Sequence, residues 1–219
     1  MHQEPGLDVV TFETGPLQEN AYLVIDRETG DGVIVDPGDD GDELIAAIEK
    51  SGVRLRAIWL THAHFDHVGA VKAVRTHFSV PAWLHAADIP MFEAGPFQAA
   101  SYGLPFEGDE VPSERLREGQ GLTVGGLSFT VMHTPGHSPG HVTIHGHGIA
   151  LVGDCLFAGS IGRTDLPLGN GAELGRSLLR IVALPSETRV LPGHGPATTV
   201  AEERRSNPYI LDLLARAPR

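Results

Sequence analysis

The chain has 219 residues, a formal net charge of -12, one cysteine and 12 histidines. That length suffices for one large α/β domain with a core that needs no disulfide staples, and a lone Cys155 fits a reducing cytoplasm. The acidic balance without a Lys/Arg cluster argues against nucleic acid as partner, no apolar run reaches the roughly 20 residues a membrane span needs, and the first ten residues lack the basic-then-apolar pattern of a leader. The expectation is a cytoplasmic protein acting on a small molecule, in one domain over 1–219, with its oligomeric state left open.

In chain order, Val9 to Glu13 and Ala21 to Asp26 read as strands separated by Gly15-Pro16, and Val33 to Val35 as a short strand ending in the turn Asp36-Pro37-Gly38. A helix is expected from Asp42 to Lys50, with Leu44, Ile45 and Ile48 inward, Asp40 as N-cap and Gly52 as C′ stop. Ala57 to Leu60 reads as a buried strand. It runs into Thr61-His62-Ala63-His64-Phe65-Asp66-His67, from which a second helix is expected to His77 with Val68, Val71 and Val74 inward. Pro81 to His85 reads as a strand, and Ala86 to Arg117, rich in Pro, Gly, Phe and acidic residues, as a loop with short helical turns, a candidate cover over a site. Strands return at Leu127 to His133, His141 to Ile144, Ala150 to Val152 and Arg189 to Leu191. Leu174, Leu178, Ile181 and Val182 fall at helical spacing, and Val200 to Arg216 reads as helix interrupted at Pro208. Mixed strands and helices throughout suggest a sandwich with helices outside two sheets.

His62, His64, Asp66 and His67 put four candidate metal ligands into six residues. In an extended segment His62 and His64 project to one side, and the turn into a helix brings Asp66 and His67 round to an adjacent position. Imidazole with carboxylate suits zinc, iron or manganese better than calcium or magnesium. His137 (in Thr134-Pro-Gly-His137), Asp154 (after Ala150-Leu-Val-Gly153) and His194 (in Pro192-Gly-His-Gly195) each follow the end of an expected strand. Ligands gathered at strand ends are how a rigid scaffold supports a loop-built site.

The motif His62-Ala-His-Phe-Asp-His67 followed by His137, Asp154 and His194 resembles the metallo-β-lactamase superfamily. The resemblance implies an α/β fold of αββα sandwich type, two mixed sheets with helices on the outer faces. It further implies two divalent metals, zinc in the first place with iron or manganese as alternatives. His62, His64 and His137 would hold one, Asp66, His67 and His194 the other, and Asp154 would bridge them. Thr134 to His141, Gly153 to Phe157, Gly159 to Leu166, Pro192 to Pro196 and Glu203 to Pro208 are similar to short glyoxalase II-like proteins. The implied reaction is thioester hydrolysis, of a lactoylglutathione-like hydroxyacyl-thiol, by a hydroxide held between the metals, with Asp66 a candidate for orienting it. The chain lacks the C-terminal helical extension that full-length glyoxalase II uses to grip glutathione, which leaves the thiol carrier open.

Arg163 resembles a basic residue that contacts the glutathione carboxylate, and reads equally as a salt bridge to Asp165. His141 reads as support behind a ligand or as an ordinary strand residue; Cys155 reads as a small buried residue. The rival reaction is that of a persulfide dioxygenase, with one iron held by the equivalents of His62, His137 and Asp154. Such enzymes typically have cysteine at the place of His141 and a different last loop, so the hydrolase is preferred. A lactonase is a further alternative, and a non-catalytic metal-binding protein is less well supported, because structural zinc sites are closed and often cysteine-rich.

Overall fold

A computed structural model describes residues 6–216; residues 1–5, the start of the stretch read for a leader, and 217–219 lie outside the described residues. Two six-stranded sheets are stacked face to face. The first runs in the order β1 (Leu7–Thr14), β2 (Glu19–Asp26), β3 (Asp31–Val35), β4 (Arg54–Trp59), β5 (Ala82–His85), β6 (Glu114–Leu116). Its first three strands pair antiparallel and the rest parallel. The second contains β7 (Gly121–Val124), β8 (Leu127–His133), β9 (Val142–Gly146), β10 (Ile149–Gly153), β13 (Arg189–Pro192) and β14 (Thr198–Thr199). Here β10 and β13 are parallel, which requires a crossover. That crossover carries the small hairpin β11 (Leu156–Phe157) and β12 (Ser160–Ile161) and a helix on the outer face.

Three apolar clusters hold four layers together. Between the sheets, Val33, Val35 and Trp59 meet Phe129, Ile144 and Leu151, with the Trp59 and Phe129 rings edge to face at 5.7 Å. Outside the first sheet, α1 (Gly41–Ser51), α2 (Phe65–Val68) and α3 (Val71–Phe78) bury Leu44, Ile48, Val68, Val71 and Val74. Outside the second, α6 (Gly171–Ile181), α7 (Val200–Ser206) and α8 (Pro208–Arg216) bury Leu174, Leu178, Ile181, Val200 and Ile210. Two further short helices, α4 (Ile89–Glu93) and α5 (Gly95–Ser101), lie in the connection after β5. The fold is the αββα sandwich expected. Among the described residues no helix is long and apolar enough to cross a membrane.

Several expectations need correction. Asp40 sits at the N-terminus of α1 but at φ 52°, so its side chain turns away from the helix and accepts a bond from the Gly15 amide at 2.8 Å. The helix expected from the ligand motif to His77 is two helices, α2 and α3, broken at Gly69-Ala70. The stretch 86–117 does carry short helical turns, a 3₁₀ turn (Ala86–Asp88), α4 and α5, and adds the short strand β6. The edge strands β6, β7 and β14 were not anticipated, because two to four residues cannot establish a period-2 pattern.

The closing motif is structural. Glu203, 1 % exposed, accepts from Thr198 Oγ1, the Gly159 amide and Asn207 Nδ2 at 2.6–3.0 Å. Asn207 in turn donates to the Ser160 carbonyl and accepts from the amides of Tyr209 and Ile210, capping α8. The C-terminal helices are thereby fastened to the β11–β12 hairpin.

Candidate metal centre

Four strands end at one edge of the sandwich. Beyond β4 come His62 and His64, with Asp66 and His67 on the first turn of α2; His137 follows β8, Asp154 follows β10 and His194 follows β13. All seven expected ligands converge there. His62, His64 and His137 form one group of ligand atoms within 4.8 Å of each other, and Asp66, His67 and His194 form a second. Asp154 reaches both groups: its Oδ1 lies 3.4 Å from His67 Nε2, and its Oδ2 lies 3.5 Å from His137 Nε2 and 3.7 Å from His194 Nε2.

The donor chemistry fits cations. Nε2 of His62, of His67 and of His137, and Oδ1 of Asp154, are buried without a hydrogen-bond partner. An orphaned buried polar atom is costly unless something occupies it. The opposite nitrogen of each of these rings is satisfied. His137 Nδ1 donates to the Arg163 carbonyl at 2.8 Å. Asp36 Oδ2 lies 3.2 Å from His67 Nδ1 and 2.5 Å from the Thr61 hydroxyl. With its only proton given to Asp36, the Thr61 oxygen accepts from His62 Nδ1 at 3.1 Å. These partners hold the ring proton on Nδ1 and leave the Nε2 lone pair facing the cluster, the usual arrangement behind a histidine ligand.

The electrostatics agree. Burial keeps His62 well below the usual histidine range and His64 down at about 3, so both rings are neutral. Burial also works against charging His67, but the Asp154 and Asp66 carboxylates outweigh it and raise that group well above its ordinary value. A pocket that draws a proton to a buried imidazole draws a cation for the same reason. Burial alone would raise Asp154, yet the surrounding imidazoles, His67 foremost, push its carboxyl far below the ordinary range.

Several supporting residues were not found from sequence. Asp36, treated as turn punctuation, binds both the Thr61 amide (2.7 Å) and hydroxyl besides facing His67. It also joins a third group of possible ligand atoms with His62 and His67. Both its oxygens are already engaged, so it acts behind the ligands. Asp88, inside the supposed cover, is fully buried; it accepts from the Ala63 amide, Ser138 Oγ and the Gly140 amide at 2.5–3.1 Å, tying the His62–His64 loop to the His137 loop. Glu19 lies buried with Oε1 at 3.6 Å from His67 Nδ1, and burial raises its pKa well above the carboxylate range. Asn20 donates to the Pro192 and Gly195 carbonyls and Tyr22 to Pro192, clasping the His194 turn. An acidic residue beside Pro-Gly or in an irregular segment carries no sequence signal of such a role.

His141 is fully buried and its Nε2 accepts from the Asp154 amide at 3.1 Å, which places it behind that ligand. Arg163 makes two bonds of 2.7 Å to Asp165, so its exposed guanidinium is taken up by that neighbour. Space is tight where Gly193 passes the centre: a Cβ there would stand 2.3 Å from Asp154 Oδ1 and 2.6 Å from His67 Cε1.

The chain belongs to the metallo-β-lactamase superfamily, whose family model matches residues 14–194. It is a metallo-hydrolase of that superfamily with His/Asp clusters suited to metal. It is 38 % identical to hydroxyacylglutathione hydrolase GloC of Haemophilus influenzae over 88 % of this chain and 93 % of that one. Among solved structures it is similar to TTHA1623 in a di-iron-bound form, with TM-score 0.86 and 45 % identity over 92 % of this chain and 100 % of that one. It is also similar to the B3 metallo-β-lactamase BLEG-1, with TM-score 0.87 and 39 % identity over 93 % and 99 %.

Proposed function

We propose that this protein, one domain over its whole length, is a dinuclear metal-dependent thioesterase. The observation that carries the reading is Asp154, whose two oxygens face both ligand groups at 3.4–3.7 Å. The similarity to a hydroxyacylglutathione hydrolase supports the thioester, and the di-iron form of TTHA1623 supports two cations. Zinc, iron and manganese all suit the donor set.

Two bound divalent cations would supply a water acidified from 15.7 towards about 7 and polarise the scissile carbonyl. The protein's part is positioning. Asp36, Thr61 and the Arg163 carbonyl hold the ring protons of His67, His62 and His137 on Nδ1. Asp66, whose Oδ2 lies 3.3 Å from His194 Nε2, would be the carboxylate that orients an attacking water. Cys155 is no rival nucleophile, because burial pushes its thiol up to about 12. Arg163 can anchor a substrate carboxylate only by exchanging Asp165 for it.

A second reading, hydrolysis of a β-lactam amide by the same machinery, is favoured by the similarity to BLEG-1. The deciding experiment is metal analysis of protein purified without added metal, followed by turnover of lactoylglutathione and of a chromogenic cephalosporin. Near two metals per chain with thioester turnover is the expected result. Cephalosporin turnover alone would select the second reading. Near one iron per chain, with oxygen consumed on glutathione persulfide, would replace the hydrolase with a dioxygenase.

A further inference from the structure

A cleft of about 410 Å³ shares Asp66 with the metal centre. That volume lies within the roughly 300–1,000 Å³ of small-molecule sites. Four pieces of chain form it: the turn between β1 and β2, the turn after β3, α2 with the Gly69 that follows it, and the segment after α5. Its walls are chiefly apolar, with Leu17, Phe65, Leu104, Pro105 and Phe106. The charged side chains that line it, Asp39, Asp66 and Glu107, are all acidic, and among the described residues lining it none is basic. The neighbouring Lys72 has its ammonium engaged by Glu107 Oε1 at 2.5 Å.

The outer wall is braced. Arg75 of α3 binds Asp109 at 2.7 Å, and Lys72 of the same helix binds Glu107, so 107–109 is tied down at two points. Phe106 is seated where residue 95 has no side chain: a Cβ on Gly95 would come within 2.8 Å of its ring. The rings of Phe65 and Tyr102, at 5.2 Å, close the wall towards α5.

We infer that this cleft is the subsite for an apolar substituent of the substrate without net negative charge, and that Phe106 and Glu107 set that preference. The inference rests on the hydrolase reading only in that the rest of the same molecule would present its carbonyl at the metals. An alkyl group entering the cleft gains by leaving water. A carboxylate or sulfonate entering it would give up its hydration against the apolar wall and Asp39, while the ammonium at the rim, Lys72, is already paired with Glu107. Arg163, the cation expected to serve an anionic thiol carrier, is not among the lining residues and is paired with Asp165. The anionic arms of a glutathione-like carrier therefore belong outside this cleft.

The test is calorimetric binding of two non-hydrolysable thioethers of equal length to the metal-loaded protein, one ending in an alkyl group and one in a sulfonate. The alkyl ligand should bind at least about tenfold more tightly, and Phe106→Ala should weaken it by about tenfold. Glu107→Lys, or Glu107→Gln should the reversal unfold the wall, should narrow the gap between the ligands. No binding of the alkyl ligand, equal or tighter binding of the sulfonate, or an unchanged alkyl affinity in Phe106→Ala overturns the inference. Thioester turnover measured in parallel separates the two claims. The expected binding pattern without turnover removes the hydrolase and keeps the subsite; turnover with a preference for the anionic end removes the subsite and keeps the hydrolase.

Discussion

Asp36→Asn tests whether the centre depends on proton placement behind its ligands. The change keeps volume but turns one acceptor oxygen into a donor. The Thr61 amide, at 2.7 Å, must face the remaining oxygen, so the new NH₂ meets the Thr61 hydroxyl (2.5 Å) and His67 Nδ1 (3.2 Å). Both must then act as acceptors. His67 shifts its proton to Nε2, where it blocks a cation, and the Thr61 hydroxyl proton is released towards His62 Nδ1, with the same consequence for that ring. Both contacts become neutral hydrogen bonds, worth roughly 0.5–1.5 kcal/mol each in place of the roughly 1.5–3 kcal/mol of a bond to a carboxylate. Loss of a partner behind a histidine ligand typically weakens metal binding by about 10–100-fold, or about 1.4–2.8 kcal/mol. Competition with a chromogenic chelator reads the affinity, and thermal unfolding of metal-free protein reads the stability. Wild-type metal affinity in a folded Asp36→Asn protein would refute the reasoning.

Further outcomes follow from the same geometry. Gly193→Ala pushes a methyl group against Asp154 Oδ1 and His67, so metal content should fall from near two per chain towards one, read by elemental analysis. Asp88→Ala leaves three buried donors without an acceptor and should cost about 3 kcal/mol or more in urea unfolding, whereas a loss under 1 kcal/mol would deny it a joining role. His85, stacked on His133 with ring centroids 4.3 Å apart, is lowered to about 4 by burial and by that neighbour. A base with a depressed folded pKa contributes stability that is present above its unfolded pKa, about 6.5, and lost as pH falls through about 4. Acid unfolding of His85→Phe should therefore show a shallower decline across that window, and an unchanged profile would count against the stack as its source.

The sequence carried the seven candidate ligands because they follow local rules. A buried strand announces itself by an apolar run, and His62, His137, Asp154 and His194 all stand just past such runs, at β4, β8, β10 and β13. The layers were legible for a related reason, since apolar positions at helical spacing mark α1 and α6, and strand-favouring residues parted by Gly15-Pro16 mark β1 and β2. What the tertiary structure decided lies between segments distant in the chain. Asp36 meets His67 across 31 positions and Asp88 meets Gly140 across 52, contacts that no local spacing encodes. Asp40 looked like a cap by residue type, but a positive φ turned it to Gly15, 25 positions away. The cleft likewise forms where the β1–β2 turn, the turn after β3, α2 and 104–107 meet, segments far apart in the chain. Ligand identity is a property of short motifs. The proton positions, supports and walls around the ligands depend on packing, where hydrogen-bond geometry and burial are set by the whole sandwich at once.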